Sequence, residues 1–139
     1  MLVQVGSRRR SSPLPQKGKT GTRTLSPELR LVLKCLDANR LISAPINGVA
    51  LVVGRSCPGY SPEINLEVLG AIDQGVSRRH AQFTLRDGDL FVEDLGSTNG
   101  TRINGFKVAS NHSYRLRNGD EIEFGNIRLN VSLLRIPSR

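Results

Sequence analysis

Short apolar runs separated by turn residues dominate the chain from Leu29 onward. Ala81, Phe83 and Leu85 alternate with polar neighbours, which is typical of a strand with one buried face. Residues 50–53 form a continuous apolar run, which indicates a strand buried on both faces. Strands are predicted at residues 29–36, 50–53, 64–68, 81–85, 90–94, 101–103, 114–116, 121–124 and 127–134. Short strands in this number, with no helical stretch, predict an all-β fold and specifically a β-sandwich.

Turn signals divide these runs. Asp87-Gly88 lies between two alternating segments and favours a primed two-residue turn, whose twist matches that of the flanking strands. Asn104-Gly105 and Asn118-Gly119 predict two more turns of this kind, and Asn99-Gly100 predicts a further bend. Residues 56–76 are rich in Pro and Gly and are predicted to be irregular, apart from the short strand at 64–68.

The composition changes sharply near residue 26. Residues 1–26 are rich in Ser, Pro, Gly, Lys and Arg, which predicts a disordered basic tail, and residues 27–139 are predicted to form one folded domain. The formal net charge is +8, yet the tail holds six basic and no acidic residues while the remainder holds 14 basic and 12 acidic ones. The charge therefore belongs mainly to the tail. Tail-driven nucleic-acid binding is kept as an alternative, although the tail lacks aromatic residues for base stacking.

Signatures of catalysis, metal binding and membrane insertion are missing from the sequence. Cys35 and Cys57 stand 22 positions apart without a neighbouring His, so zinc and CxxC redox spacings are absent and two free thiols are expected. His80 and His112 fit no nucleophile or metal pattern, and GxGxxG, GxSxG and complete P-loop motifs are absent. We therefore expect no enzyme, no cofactor and no metal. Without a signal peptide or an apolar membrane span, the expected location is cytoplasmic.

Polar residues instead cluster in loops next to predicted strands. Arg55 follows a buried run, residues 77–80 precede a strand, and residues 97–100 follow one. Loops at one end of a sandwich converge in space while the strands hold them. A guanidinium with hydroxyl and amide donors suits a dianionic phosphate, because each charge-assisted hydrogen bond contributes about 1.5–3 kcal/mol.

Five ordered motifs then resemble the forkhead-associated (FHA) domain family. They are Val53-Gly54-Arg55, Gly75-Val76-Ser77-Arg78-Arg79-His80-Ala81, Asp94-Leu95-Gly96-Ser97-Thr98-Asn99-Gly100-Thr101, Asn104-Gly105, and Asn118-Gly119-Asp120-Glu121-Ile122 with Phe124-Gly125. The resemblance spans residues 29–136. It implies an FHA-type β-sandwich of about eleven strands whose apical loops bind phosphothreonine peptides.

The resemblance also implies roles for individual residues. The implied phosphopeptide-binding residues are Arg55, Ser77, Arg78, Thr98 and Asn99. The implied loop-shaping residues are Gly54, His80 and Gly100. In this assignment Arg55 and Ser77 contact the phosphate, Arg78 and Thr98 lie at its edge, and Asn99 holds the peptide main chain. Arg79 is expected to add general electrostatic attraction.

The implied partners are phosphothreonine-containing proteins, either Ser/Thr kinases or their substrates. The segment between Arg55 and Ser77 is several residues longer than is usual for the family, which leaves the preferred peptide open. Thr20, Thr22 and Thr24 could supply a phosphothreonine that binds in cis. A phosphate-independent scaffold that uses one face of the sandwich is the other alternative.

Overall fold

The computed structural model describes residues 28–137 and consists of two β-sheets packed around a common core. Within that range eleven strands are present: β1 Glu28–Cys35, β2 Leu41–Pro45, β3 Leu51–Gly54, β4 Ile64–Asn65, β5 Ala81–Arg86, β6 Asp89–Asp94, β7 Thr101–Ile103, β8 Phe106–Lys107, β9 Ser113–Leu116, β10 Glu121–Phe124 and β11 Ile127–Ile136. The predicted all-β sandwich of about eleven strands is confirmed. The predicted tail lies outside the described residues.

The two sheets have the strand orders β2-β1-β11-β10-β7-β8 and β4-β3-β5-β6-β9. In the first sheet, β1 pairs with β11 along its whole length, from Glu28 with Ile136 to Cys35 with Leu129. In the second sheet, β3 pairs in parallel with β4 and antiparallel with β5. The pairing of β5 with β6 runs from Ala81 with Asp94 to Arg86 with Asp89. These registers place the end of β3, the start of β5 and the end of β6 at the same end of the sandwich.

The core is built from the inward-facing residues of both sheets. Along β11 buried and partly exposed positions alternate from Ile127 to Leu133, as expected for a strand with one face in the core. Phe83 and Phe124 are fully buried and meet edge to face, with ring centroids 6.1 Å apart. Because these rings come from different sheets, their contact fixes one sheet against the other.

The predicted strand at 64–68 is wrong beyond its first two residues. After β4 the chain forms a short 3-10 helix, Leu66–Leu69, rather than continuing as a strand. The side chain of Asn65 accepts a hydrogen bond from the backbone N–H of Glu67 at 3.0 Å and so caps this helix. Leu66 is fully buried whereas Val68 is half-exposed, so the alternation in the sequence does not continue as a pleated strand.

Two of the three predicted primed turns are confirmed. Asp87-Gly88 and Asn104-Gly105 have positive φ at both residues, as type I′ turns require. At Asn118-Gly119 only Gly119 has a positive φ, so the prediction of a primed turn there is wrong. The physical reason is that this segment joins β9 in one sheet to β10 in the other and closes no hairpin. The Asn118 side chain instead accepts a hydrogen bond from the Leu133 N–H at 2.7 Å.

Candidate functional site

Backbone pairing brings three loops together at one end of the sandwich. The N–H of His80 donates to the carbonyl of Val53 at 3.0 Å, and the N–H of Leu95 donates to the carbonyl of His80 at 3.0 Å. The residue after β3, the residues before β5 and the residues after β6 are therefore neighbours. The predicted convergence of Arg55 with the 77–80 and 97–100 loops is seen in the structure.

His80 lies buried beneath these loops and ties them together. Its Nδ1 accepts a hydrogen bond from the Ser77 N–H at 3.0 Å, and its Nε2 lies 2.8 Å from the carbonyl oxygen of Gly100. The proton therefore sits on Nε2, and the ring packs edge-on against Phe124 with centroids 5.4 Å apart. Burial lowers the pKa of His80 below its usual 6.5, although the Gly100 carbonyl and Asp94 oppose the shift. A neutral ring with both nitrogens engaged suits the loop-shaping role proposed from the sequence.

Asp94, at the end of β6, organises the loop that follows it. Its buried carboxylate accepts five hydrogen bonds. The donors are the N–H groups of Gly96 and Ser97 and the hydroxyls of Ser97, Thr101 and Ser110. Burial alone would raise the pKa of this carboxyl, but the hydroxyl and backbone donors outweigh it and lower the pKa to about 2. Asp94 is therefore charged and holds the 97–100 loop in place.

Two glycines allow the loops to approach each other closely. A Cβ at Gly54 would overlap the backbone carbonyl of Arg78, so the 77–80 loop packs directly on the end of β3. Gly100 has a φ of 86°, and a Cβ there would lie 2.8 Å from Cε of Lys107. The two glycines predicted to shape the loops therefore stand where a side chain would displace neighbouring atoms.

The converged loops form a cleft of about 470 Å³. Its lining residues are Arg55, Cys57, Tyr60, Ser77, Arg78, Arg79 and Thr98. Three of these seven residues are arginines and none is acidic. The cleft is therefore strongly positive although the domain as a whole is nearly balanced in charge.

Hydrogen bonds orient the donors around this cleft. The Nε of Arg55 donates to the Val76 carbonyl at 2.8 Å, which fixes the guanidinium and leaves its terminal N–H groups for a ligand. The Ser77 hydroxyl oxygen accepts a hydrogen bond from the Thr98 N–H at 3.1 Å. Because the oxygen is the acceptor in that bond, its hydroxyl hydrogen is available to donate to a ligand. The arrangement offers charged and neutral donors to an anion.

Asn99 takes a different position from the other predicted binding residues. Its Nδ2 donates to the Gly75 carbonyl at 3.0 Å and so links the 97–100 loop to the loop before β5. It is exposed and lies next to Thr98 in the chain, but it does not line the cleft. The structure thus brings Arg55, Ser77, Arg78 and Thr98 together and leaves Asn99 at their border.

Sequence reasoning missed three contributors to this end of the molecule. Cys57 and Tyr60 line the cleft from the irregular segment, where the Pro58-Gly59 turn signal was the available clue. Asp94 belongs to one of the family motifs without an assigned role, although an Asp side chain commonly accepts a hydrogen bond from the backbone N–H two residues further on, here that of Gly96. Across residues 28–137, no group of three His, Cys, Asp or Glu side chains is placed to hold a metal ion. No helix in the same range is long and apolar enough to cross a membrane.

Fold and cleft together define a class of protein, a β-sandwich that presents a basic, donor-rich cleft on the loops at one end. The FHA domain family model matches residues 51–125, which is more than half of the 139 residues. The chain therefore belongs to the FHA family, and the resemblance stated from its motifs is confirmed.

Known relatives and structures agree with this membership. The glycogen accumulation regulator GarA of Mycolicibacterium smegmatis is 49% identical over 57 residues, which are 41% of this chain and 34% of GarA. This chain thus spans about a third of the length of that relative. The solution structure of an FHA domain from an Arabidopsis thaliana hypothetical protein has a TM-score of 0.65 at 30% identity, covering 88% of this chain and 99% of that one. A structure from work on phosphothreonine-dependent FHA domain interactions has a TM-score of 0.57 at 28% identity, covering 73% and 94%.

Proposed function

We propose that this chain binds phosphothreonine-containing segments of partner proteins in Ser/Thr kinase signalling, using the basic cleft on its apical loops. The observation that carries the proposal is the cleft itself, in which three arginines and three hydroxyl-bearing residues converge, with no acidic residue among the lining residues that the structure describes. A phosphothreonine brings a charge of about −1.5 to −2 and three strong acceptor oxygens. The cleft supplies the complementary charge and donors.

Each predicted residue has a role in this proposal. Arg55, oriented by the Val76 carbonyl, and the Ser77 hydroxyl donate to the phosphate oxygens. Arg78 and Thr98 complete the rim of the cleft, and Asn99, whose Nδ2 also donates to the Gly75 carbonyl, holds the peptide main chain. Charge-assisted bonds of about 1.5–3 kcal/mol each, less the cost of ordering the peptide, are consistent with micromolar affinity, about −8 kcal/mol.

Similar proteins support the proposal. One similar domain was solved in work on phosphothreonine-dependent FHA domain interactions, at 28% identity and over 73% of this chain. Another similar structure, also at 28% identity, is the FhaA FHA domain complexed with the intracellular domain of Rv3910. GarA is named as a regulator of glycogen accumulation. Partners of this chain are accordingly proposed to be kinases or kinase substrates in the cytoplasm.

The proposed activity is recognition without a chemical step. Binding a phosphate needs donors and positive charge but no general base or nucleophile. His80, the histidine nearest the cleft loops, is buried with both ring nitrogens hydrogen-bonded within the fold. His80 is therefore not available as a general base, and neither a chemical step nor a cofactor is part of the proposal.

Isothermal titration of the full chain tests the proposal directly. The ligands are a phosphothreonine peptide library with randomised flanks, its unphosphorylated copy and its phosphoserine copy. Wild type is expected to bind the phosphothreonine form at micromolar Kd, and Arg55→Ala is expected to weaken binding by about a hundredfold. Arg115→Ala is the matched control, because Arg115 is an exposed β9 residue paired with Asp89 at 3.2 Å, outside the cleft. Equal binding of phosphorylated and unphosphorylated peptides would refute the proposal.

The two alternatives predict different outcomes in the same assay. A scaffold that ignores phosphate would bind its partner equally well after Arg55→Ala or Ser77→Ala. A tail-driven nucleic-acid binder would show steep salt dependence and would lose binding when residues 1–26 are deleted. Under our proposal the same deletion leaves phosphopeptide affinity within about twofold of wild type, since the residues proposed to bind the phosphopeptide all lie outside the deleted segment.

A further inference from the structure

A small hairpin forms one wall of the cleft. Cys57 and Tyr60 exchange both backbone hydrogen bonds, each with a nitrogen-to-oxygen distance of 2.9 Å. Pro58 and Gly59 occupy the turn, and Gly59 has a φ of 84°, as a type II turn with Pro-Gly requires. Side chains of a directly opposed pair lie on the same face of the ribbon, and both of these side chains line the cleft. The backbone of Tyr60 is therefore fixed at this wall of the cleft.

The hydroxyl of Tyr60 is unusual in this fold. It is buried and has no hydrogen-bond partner among residues 28–137, and it is the one buried side-chain oxygen or nitrogen there of which this is true. Buried polar groups are almost always paired, because leaving one unpaired destabilises the folded state. An unpaired hydroxyl on a residue that lines a binding cleft indicates a partner that arrives with the ligand.

The chemistry of the cleft identifies that partner as an acceptor. A phenolic hydroxyl donates readily, and a phosphopeptide carries acceptors on both its phosphate and its main chain. Arg78 and Arg79 line the same cleft and are exposed, so their side chains are free to turn toward a phosphate bound beside Tyr60. Tyrosine is also enriched at interfaces because its ring packs while its hydroxyl bonds.

We propose that Tyr60 is a specificity-determining residue of the cleft, and that its hydroxyl donates a hydrogen bond to an oxygen of the bound phosphopeptide. This inference rests on the proposed phosphopeptide function and adds a contact from the segment between β3 and β4, which neither the motifs nor their implied roles include. Through Tyr60, the segment between β3 and β4 therefore takes part in recognising the phosphopeptide. A peptide that places an acceptor against this wall is preferred over one that does not.

The test is Tyr60→Phe, which removes the hydroxyl and keeps the ring. The variant is expected to bind the phosphothreonine peptide about tenfold more weakly than wild type. Its Tm is expected to equal or exceed that of wild type, because the unpaired hydroxyl is gone. If Tyr60 had only a structural role, its substitution would not lower the affinity for the peptide while leaving the Tm unchanged or higher. Wild-type affinity in the variant would overturn the inference.

Tyr114→Phe is the matched control at the other tyrosine. The Tyr114 hydroxyl accepts a hydrogen bond from the Ala109 N–H at 3.0 Å and lies outside the cleft. This variant is expected to lose stability and to keep phosphopeptide affinity within about twofold. An equal loss of affinity in both tyrosine variants would overturn the specific role of Tyr60.

Two further comparisons distinguish failure of the proposed function from failure of the Tyr60 inference, and a phosphate acceptor from a main-chain acceptor. If wild type binds no phosphopeptide, the proposed function fails. If wild type binds, Arg55→Ala weakens binding as expected and Tyr60→Phe does not weaken it, only the Tyr60 inference fails. Inorganic phosphate is also used to displace a labelled phosphopeptide from each protein. Weaker phosphate competition in Tyr60→Phe supports the inference with a phosphate oxygen as acceptor. Unchanged phosphate competition with weakened peptide binding supports it with a main-chain oxygen.

Discussion

The two ends of the sandwich are built by different means. At the end opposite the cleft, Asp87-Gly88 and Asn104-Gly105 close hairpins with two-residue turns whose positive φ angles are local preferences of those residues. At the cleft end the loops are longer and irregular. There His80, Asp94 and Thr101 are the three buried polar side chains found in residues 28–137.

This difference follows from what each end must do. A tight turn satisfies its own backbone and exposes little that a ligand could use. A binding loop must turn donors outward, so its backbone groups need other partners on the inside. His80 and Asp94 provide those partners, which makes the cleft end dependent on a few buried side chains and the opposite end dependent on turn conformation.

The same substitution at the two ends gives the largest expected contrast. Asp94→Asn replaces one carboxylate oxygen by an amide that cannot accept, so part of a network of five donors loses its acceptor. We expect the free energy of unfolding to fall by about 4 kcal/mol, measured by urea denaturation. Asp87→Asn is the control at the opposite end, where Asn tolerates the φ of 53° and the change should stay within about 0.5 kcal/mol. Similar losses for the two variants would refute the contrast.

The two ends also differ in how much of them the sequence predicts. Asp-Gly and Asn-Gly turns are local, so two of the opposite end's turns follow from the residues themselves; Asn118-Gly119 does not, because it bridges the two sheets. At the cleft end, Arg55, Ser77, Arg78 and Thr98 were placed by ordered motifs, and the structure brings them together.

The features of the cleft end that the sequence does not predict depend on contacts between residues far apart in the chain. The Asp94 carboxylate accepts hydrogen bonds from the hydroxyls of Thr101 and Ser110, which lie seven and sixteen positions further along the chain. No local sequence pattern predicts such contacts. Tyr60 reaches the cleft because the segment after β3 folds back as a hairpin before the 3-10 helix. Turn chemistry indicates that hairpin at Pro58-Gly59, but which wall its side chains meet depends on packing.

Substitution of one glycine near each end tests whether the cleft end tolerates an added side chain less well than the opposite end does. A methyl group at Gly54 meets the Arg78 carbonyl, a backbone atom that cannot rotate away. Gly54→Ala is expected to lower the free energy of unfolding by about 3 kcal/mol and, by displacing the 77–80 loop, to weaken phosphopeptide binding at least about tenfold. Thermal unfolding and isothermal titration measure the two effects.

Gly48→Ala is the matched substitution near the opposite end. A Cβ there meets no atom within 4 Å, so stability is expected to change by less than about 0.5 kcal/mol and affinity to remain that of wild type. If Gly54→Ala were as well tolerated as Gly48→Ala, the close packing of the 77–80 loop on β3 would not constrain the site.

Acid should loosen the cleft end through its two buried titratable groups. The folded-state pKa of Asp94, lowered from 3.8 to about 2, contributes stability above pH 4 that is lost as pH falls toward 2, a change of about 2 kcal/mol. The pKa of His80 is also lowered, so the unfolded state takes up its proton first and stability begins to fall as pH drops below 6.5. Urea denaturation from pH 7 to 2 should therefore show stability falling as pH drops below 6.5, because of His80, and falling further below pH 4, because of Asp94. In Asp94→Asn the decline below pH 4 should be smaller by about 2 kcal/mol, because the group that titrates there is gone. If the free energy of unfolding of Asp94→Asn fell with pH in parallel with that of wild type, titration of Asp94 would not be the cause of the acid sensitivity.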